Sequence, residues 1–299
     1  MNQKSVVSID DLSKDEIIKI LDGAELILKT NDAPYKGKIM ATLFFEPSTR
    51  TRLSFESAMI KLGGNVLGFS NPEATSFAKG ESLSDAAKMI QNYCDLMVVR
   101  NPNEGSVKEL ADASEVPVIN AGDGGNEHPS QTLIDLFSIR QCQGKLDGLN
   151  IAMVGDLKYG RTVHSLAKAL SLFNSKLFFV SPDELKMPSS VIDMLKEKKT
   201  EFEDLVDIRE IMDKIDVLYM TRIQKERFSD TAAYDRLKGI YILNKDSISN
   251  AKENMRIFHP LPRVDEISKD IDETIHEYYF KQARNAVPVR MALISHVLG

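Results

Sequence analysis

The residues able to do chemistry in this sequence are mostly cations and hydroxyls. In Glu46-Pro-Ser-Thr-Arg-Thr-Arg52, Arg50 offers a guanidinium that can grip a phosphate through two parallel hydrogen bonds, and Ser48, Thr49 and Thr51 add hydroxyl donors. Pro47 breaks the run before it, and Ser48 and Thr49 suit the cap of a helix beginning near Arg50. The free N–H groups and positive end of that helix would favour an anion at the same spot. A phosphate pocket is the expectation. Ser76 and Lys79 follow as candidate phosphate donors, then Arg100, His128-Pro-Ser-Gln131, Arg161, Arg222 with Gln224, and His259-Pro-Leu-Pro-Arg263. Taken singly, each has a plain explanation. Most S-T-R stretches are ordinary helix caps, a loop histidine is usually just hydrogen-bonded, and a lone arginine is usually solvated or ion-paired.

The elements that must position these residues alternate strand and helix. Ile39-Met-Ala-Thr-Leu-Phe-Phe45 is apolar, β-rich and too short for a buried helix, so it reads as a parallel-sheet strand. Strands are expected at 66–69, 96–99 and 116–119, then at 151–154, 177–180, 217–220, 240–243 and 256–258. Ser13-Lys-Asp-Glu16 has the capping-box pattern before a helix, and Pro129 and Ser130 open another. An amphipathic helix is expected over 288–298. The polar stretch 71–81 is long for a loop of a compact domain, and such loops are usually functional or mobile. The alternation implies an α/β fold of two domains, each a parallel sheet flanked by helices. Their expected limits are 1–144 and 145–285, with a last helix over 286–299 packing back onto the first. Ser48–Arg52, Arg100, His128, Arg161, Arg222 and Leu261 all follow the carboxyl end of an expected strand. In open α/β sheets ligands bind at that edge, which places the active site in the interdomain cleft.

Composition removes several function classes. A net charge of −6 over 299 residues argues against a nucleic-acid surface or an anionic membrane as partner. Cys94 and Cys142 form no disulfide framework and have no metal-ligand spacing, so a reducing cytoplasm is expected and no metal. No apolar run reaches transmembrane length. Gly155-Asp-Leu-Lys-Tyr-Gly-Arg161 lacks the G-x-G-x-x-G spacing of a dinucleotide site, and no cofactor is expected. Positioning and electrostatic stabilisation are the catalytic resources left.

Five segments together resemble the aspartate/ornithine carbamoyltransferase family: Ser48-Thr-Arg-Thr-Arg52, His128-Pro-Ser-Gln131, Gly155–Arg161, Thr221-Arg-Ile-Gln-Lys-Glu-Arg227 and His259-Pro-Leu-Pro-Arg263. The likeness spans almost the whole chain in order. His-Pro-Leu-Pro, where ornithine enzymes carry His-Cys-Leu-Pro, points to aspartate as the acceptor. The resemblance implies that Ser48, Thr49, Arg50 and Thr51 hold the phosphate of carbamoyl phosphate. Thr51, Arg100 and His128 would polarise its carbonyl, with Gln131 and the Pro260-Leu261 backbone on the carbamoyl amine. Lys79, Arg161, Arg222, Gln224 and Leu261 would hold aspartate. Ser76 and Lys79 would reach a neighbouring subunit's site, which makes the active unit a homotrimer, and the shortened stretch between them leaves the pose of Lys79 open. Arg50, Thr51, Arg100 and His128 are the catalytic candidates. Arg52, Glu46 and Arg227 are assigned to structural ion pairs, and His164, His276 and His296 to ordinary structural roles. The family setting is de novo pyrimidine biosynthesis under allosteric control. A separate zinc-containing regulatory chain is a partner this sequence neither requires nor excludes. The alternatives are another amine acceptor, or a non-catalytic carbamoyl-phosphate-binding scaffold.

Overall fold

The computed structural model describes residues 4–30, 32–223 and 239–299. By its contacts the chain separates into two compact units, Met1–Ile134 with Asn285–Gly299, and Asp135–Arg284.

The first unit opens with α1 (Lys14–Ile27), started by the expected capping box. Ser13 Oγ accepts from the Glu16 N–H at 3.3 Å, while the Glu16 carboxylate accepts from the Ser13 N–H at 2.9 Å. Strands and helices then alternate: β1 (Ile39–Phe44), α2 (Thr49–Lys61), β2 (Asn65–Phe69), α3 (Leu83–Ile90), β3 (Leu96–Asn101), α4 (Ser106–Asp112) and β4 (Val118–Asp123). Among the described residues these strands pair in parallel in the order β2-β1-β3-β4. Parallel neighbours need crossover helices, which cover both faces of the sheet. β1, β3 and β4 are accordingly buried almost throughout, around Leu43, Met97, Val99, Leu110 and Val118. The next helix, α5 (Pro129–Gln143), starts in the first unit and runs into the second, so the division of contacts at Ile134/Asp135 falls inside a helix.

In the second unit β5 (Asn150–Val154), α6 (Arg161–Leu170), β6 (Lys176–Val180), α7 (Ser189–Glu197), β7 (Phe202–Leu205), β8 (Val217–Met220) and β9 (Arg256–Phe258) lead to α8 (Tyr279–Arg284). The sheet is again parallel among the described residues, in the order β7-β6-β5-β8-β9. Ala152, Val154, Phe178, Leu218, Met220 and Ile257 belong to its core.

Two expectations are corrected, and one strand that was not expected is present. The strand over 240–243 does not form. Ile240 and Ile242 are 45% and 50% exposed, and Leu243 makes only an isolated bridge to Ile267, so β-branched character finds no neighbouring strand to pack against. The sheet instead has β7, whose Phe-Glu-Asp-Leu pattern is half polar because it forms an edge. The closing helix α9 (Ala286–Leu298) is not amphipathic. Val289 to Ile294 are buried in succession, as befits a helix apolar on all sides. It packs between α1 and α2, and a Cβ at Gly23 of α1 would touch Ala292 of α9 at 3.5 Å.

Candidate active site

The anion site is built where the first sheet changes direction. β2 and β3 flank β1, so the crossovers leaving β1 and β2 run to opposite sides, and a crevice opens at the carboxyl ends of β1 and β3. α2 begins at Thr49, one residue earlier than expected. Ser48 occupies its N-cap position but makes no capping bond with its side chain, which leaves that hydroxyl for a ligand. Thr51 is buried, and Ser54 Oγ closes the first turn on the Arg50 and Thr51 carbonyls at 2.5 and 3.0 Å. Arg50 is exposed, and among the described residues no carboxylate pairs with it. Its neighbour Arg52 is committed to Glu56, Nε to Oε1 2.6 Å.

Arg100 lies within β3, directly opposite Phe44 of β1, rather than after the strand. Its Nε stands 2.8 Å from Glu46 Oε1, and its Nη1 donates to the Ala121 carbonyl at 3.4 Å. The carboxylate at the end of β1 thus orients the guanidinium at the end of β3. The structural ion pairs expected of Arg52 and Glu46 are both present.

His128 sits at the start of α5, 4% exposed, with Ser130 Oγ 3.3 Å from its Nδ1. The loop that carries it is fixed by two buried carboxylates absent from the sequence-based list. Asp123 accepts from the side chain of Asn120 at 3.0 Å, from that of Asn126 at 3.1 Å, and from the Gly105 and Glu127 N–H groups at 3.0 and 3.1 Å. Glu127 accepts from Ser8 Oγ at 3.0 Å and from the Ile9 N–H at 3.2 Å. Gln131 follows in the first turn of α5, its N–H donating to the His128 carbonyl at 3.0 Å.

Ser76 and Lys79 are exposed on a short helical turn. Phe77 between them packs edge-on against Phe45, ring centres 4.7 Å apart, and 5.9 Å from Phe69. The long polar loop is therefore held to the ends of β1 and β2 by one aromatic side chain.

The second sheet repeats the arrangement, with β6 and β8 flanking β5. Gly155 after β5 has φ 111°, and a Cβ there would collide with the Thr221 carbonyl after β8. Only glycine lets these two strand ends lie so close. Asp156 accepts from the Tyr159 N–H at 2.9 Å, and the Leu157 carbonyl lies 2.7 Å from Nε2 of His164, giving that histidine the structural role expected of it. Arg161 opens α6 and Arg222 follows β8, both half-buried. Gln224 and Arg227 lie outside the described residues.

After β9 the backbone turns sharply. Leu261 has φ 55°, a strained value for a leucine. Its N–H donates to His259 Nδ1 at 2.8 Å, so the ring is neutral with its proton on Nε2, which faces Glu266 Oε1 at 2.7 Å. Burial lowers the His259 pKa against the opposing pull of Glu266, in keeping with that tautomer. The His259 N–H donates to Gln282. Gln282 and Tyr219 both donate to Asp135, at 2.7 and 2.9 Å, and burial with the Asp135 charge holds the Tyr219 hydroxyl well above its usual pKa. Pro260 and Leu261 are thus presented from a buried polar base of His259, Gln282 and Asp135.

The first unit therefore collects Ser48, Thr49, Arg50, Thr51, Arg100, His128 and Gln131 at one sheet edge, and the second collects Arg161, Arg222, Pro260 and Leu261 at another. Residues 4–141 match the carbamoyl-phosphate-binding domain of aspartate/ornithine carbamoyltransferases, and residues 147–297 match their aspartate/ornithine-binding domain. The chain belongs to the aspartate/ornithine carbamoyltransferase family. Within it, the chain is 51% identical over 301 residues to an aspartate carbamoyltransferase catalytic subunit of Parabacteroides distasonis, covering 100% of this chain and 98% of that one. It superposes on the catalytic subunit of M. jannaschii aspartate transcarbamoylase with a TM-score of 0.90 at 48% identity, covering 98% and 97% of the two chains. The Trypanosoma cruzi aspartate transcarbamoylase, solved with carbamoyl phosphate and aspartate, matches with a TM-score of 0.94 at 38% identity over 100% and 98%. Among the described residues of this carbamoyltransferase-family chain, no helix is long and apolar enough to cross a membrane.

The residues that sequence reasoning missed are the buried polar ones behind the site. Asp123, Glu127, Asp135 and Gln282 lie outside the substrate-facing motifs and brace them from behind, Gln282 through the His259 N–H. A polar residue inside an apolar run, as Tyr219 is in Val-Leu-Tyr-Met, was the available signal.

Proposed function

We propose that the chain transfers the carbamoyl group of carbamoyl phosphate to the amine of L-aspartate, giving N-carbamoyl-L-aspartate and phosphate in pyrimidine biosynthesis. The observation that carries this reading is the pairing of Phe44 with Arg100, which sets the Ser48–Arg52 turn beside a second, carboxylate-oriented guanidinium at a topological switch point. Ser48, Thr49, Arg50 and the α2 N-terminus take the phosphate. Thr51, Arg100 and His128 face the carbamoyl oxygen, and Gln131 with the Pro260-Leu261 backbone takes the carbamoyl amine. Arg161, Arg222 and Gln224 take the two carboxylates of aspartate.

The chemistry follows from where charge grows. The uncharged amine attacks the carbamoyl carbon, and the carbonyl oxygen becomes negative as the C–N bond forms. Donors preorganised at that oxygen bind the transition state more tightly than the ground state. The carbon–oxygen bond to phosphate then breaks, and phosphate leaves against Arg50 and the helix N-terminus, taking up the proton that the amine loses. Product formation from carbamoyl phosphate with L-aspartate and L-ornithine in parallel tests the reading. Ureido product with aspartate supports it. Product with ornithine alone overturns the Arg161–Arg222 assignment, and none with either overturns the reaction.

Ser76 and Lys79, exposed on their anchored turn, serve a neighbouring subunit's site, so the working unit is a homotrimer. Mixing inactive R50A and K79A chains then restores activity, because some sites receive neither lesion; no recovery from a trimeric mixture overturns sharing. We place the enzyme in the cytoplasm. A zinc-containing regulatory chain, which would bring allosteric control, is tested by whether zinc-bearing protein co-purifies with the enzyme from its own cells.

A further inference from the structure

Helix α9 carries a buried cation that the reading above leaves unused. Arg290 is 2% exposed in a helix whose other residues from Ala286 to Ile294 are Ala, Val, Pro, Met, Leu and Ile. Its Nη1 donates to the Thr51 carbonyl at 3.2 Å, and its guanidinium carbon lies 4.5 Å from the centre of the Phe55 ring. Its Nε is buried without a hydrogen-bond partner, and among the described residues no carboxylate pairs with it. Burial, and then the nearby Arg100 charge, push the guanidinium down to about 9, so it remains a cation at neutral pH.

A bare buried charge is costly, and an apolar side chain of similar size would fill the same space more favourably. The cost is compounded by position. Arg290 stands behind the first turn of α2, where the helix end is already positive and Arg50 and Arg100 are close in the fold. Glu46 pairs with Arg100, whereas among the described residues no carboxylate pairs with Arg50 or Arg290. A multiply charged anion is the chemistry that balances those two cations.

We infer that Arg290 is a positioning residue of the phosphate site, holding the Thr51 carbonyl from behind and contributing a charge that only a bound phosphate neutralises. The inference rests on the reading of Ser48–Thr51 as that site and deepens it. Ligand-free protein is then held below its attainable stability, and phosphate relieves the penalty. Inside the protein this interaction is weakly screened by salt.

The test compares R290K, which keeps the charge, with R290Q, which keeps a donor for Thr51 but not the charge. Binding of inorganic phosphate and of carbamoyl phosphate is measured by calorimetry, Tm with and without them, and kcat and KM by assay. R290Q should melt no lower than wild type when ligand-free, yet bind phosphate roughly tenfold or more weakly. Its KM for carbamoyl phosphate should rise by a similar factor with a smaller change in kcat. R290K should stay within roughly threefold of wild type for phosphate. Equal weakening of both variants, unchanged phosphate binding in R290Q, or a R290Q chain that melts lower or fails to fold each overturns the inference. Wild-type protein that binds neither anion overturns the phosphate reading itself, which separates the two failures.

Discussion

Neighbouring arginines in one turn have been given different work. Arg52 is satisfied by Glu56 and Arg100 is oriented by Glu46, whereas Arg50 is exposed and, among the described residues, pairs with no carboxylate. Arg50→Ala should therefore lower kcat/KM by about 3–4 kcal/mol, a hundred- to a thousandfold, by analogy with the loss of an oxyanion donor. Its Tm should hardly move. Arg52→Ala should do the reverse, costing under about 1 kcal/mol of stability for a partly exposed i,i+4 pair with most of the activity retained. Near-normal kcat/KM in the Arg50 variant would remove it from the site. At this scale the sequence was most legible where a charged or hydroxyl side chain stood at the end of a strand. It was silent on Asp123, Asp135 and Gln282, because a buried polar group is interpretable only through partners that are distant in sequence. Asn120 bonds the Val7 carbonyl and Gln282 bonds Asp135, and no local pattern announces either.

Elements were legible wherever local chemistry and tertiary packing agreed. The Ser13–Glu16 capping box is such a case, and Ser13→Ala should cost about 1 kcal/mol by thermal unfolding, with activity unchanged. Residues 240–243 show the opposite case, since strand propensity there has no partner strand to express it. β7 was missed for the complementary reason: an edge strand can be polar and still be held by one neighbour. The turn after β5 makes a sharper prediction. Gly155 is at φ 111° against the Thr221 carbonyl, so Gly155→Ala must move either that strand end or the one carrying Arg222. A loss of at least about 1–2 kcal/mol is expected, together with a raised KM for aspartate and little change in KM for carbamoyl phosphate. Equal effects on both KM values would refute a lesion local to the second sheet.

Over the whole molecule, histidines partly or fully withdrawn from water set the acid limit. His259 and His296 both have pKa values lowered from 6.5, in each case first by burial. A lowered folded-state pKa means the unfolded chain binds more protons just below pH 6.5, so stability falls as pH falls through that window. Carboxylates add a second loss: Glu16, held at about 2 by bonds to Ser13, contributes stability above 4.5 that disappears on further acidification. Tm should thus decline below about pH 6.5 and more steeply below about 4.5, and His296→Gln should soften the first decline; a flat profile from pH 7 to about 5 would contradict this. The architecture also has a consequence in time. The first unit is completed by α9, which follows every residue of the second unit in the chain. During synthesis the early unit must wait with the apolar faces of α1 and α2 uncovered while the later one emerges, and domains that fold as they appear would here finish in reverse order. Nascent chains halted before residue 285 should therefore be cut readily by protease in the first unit and resist it in the second.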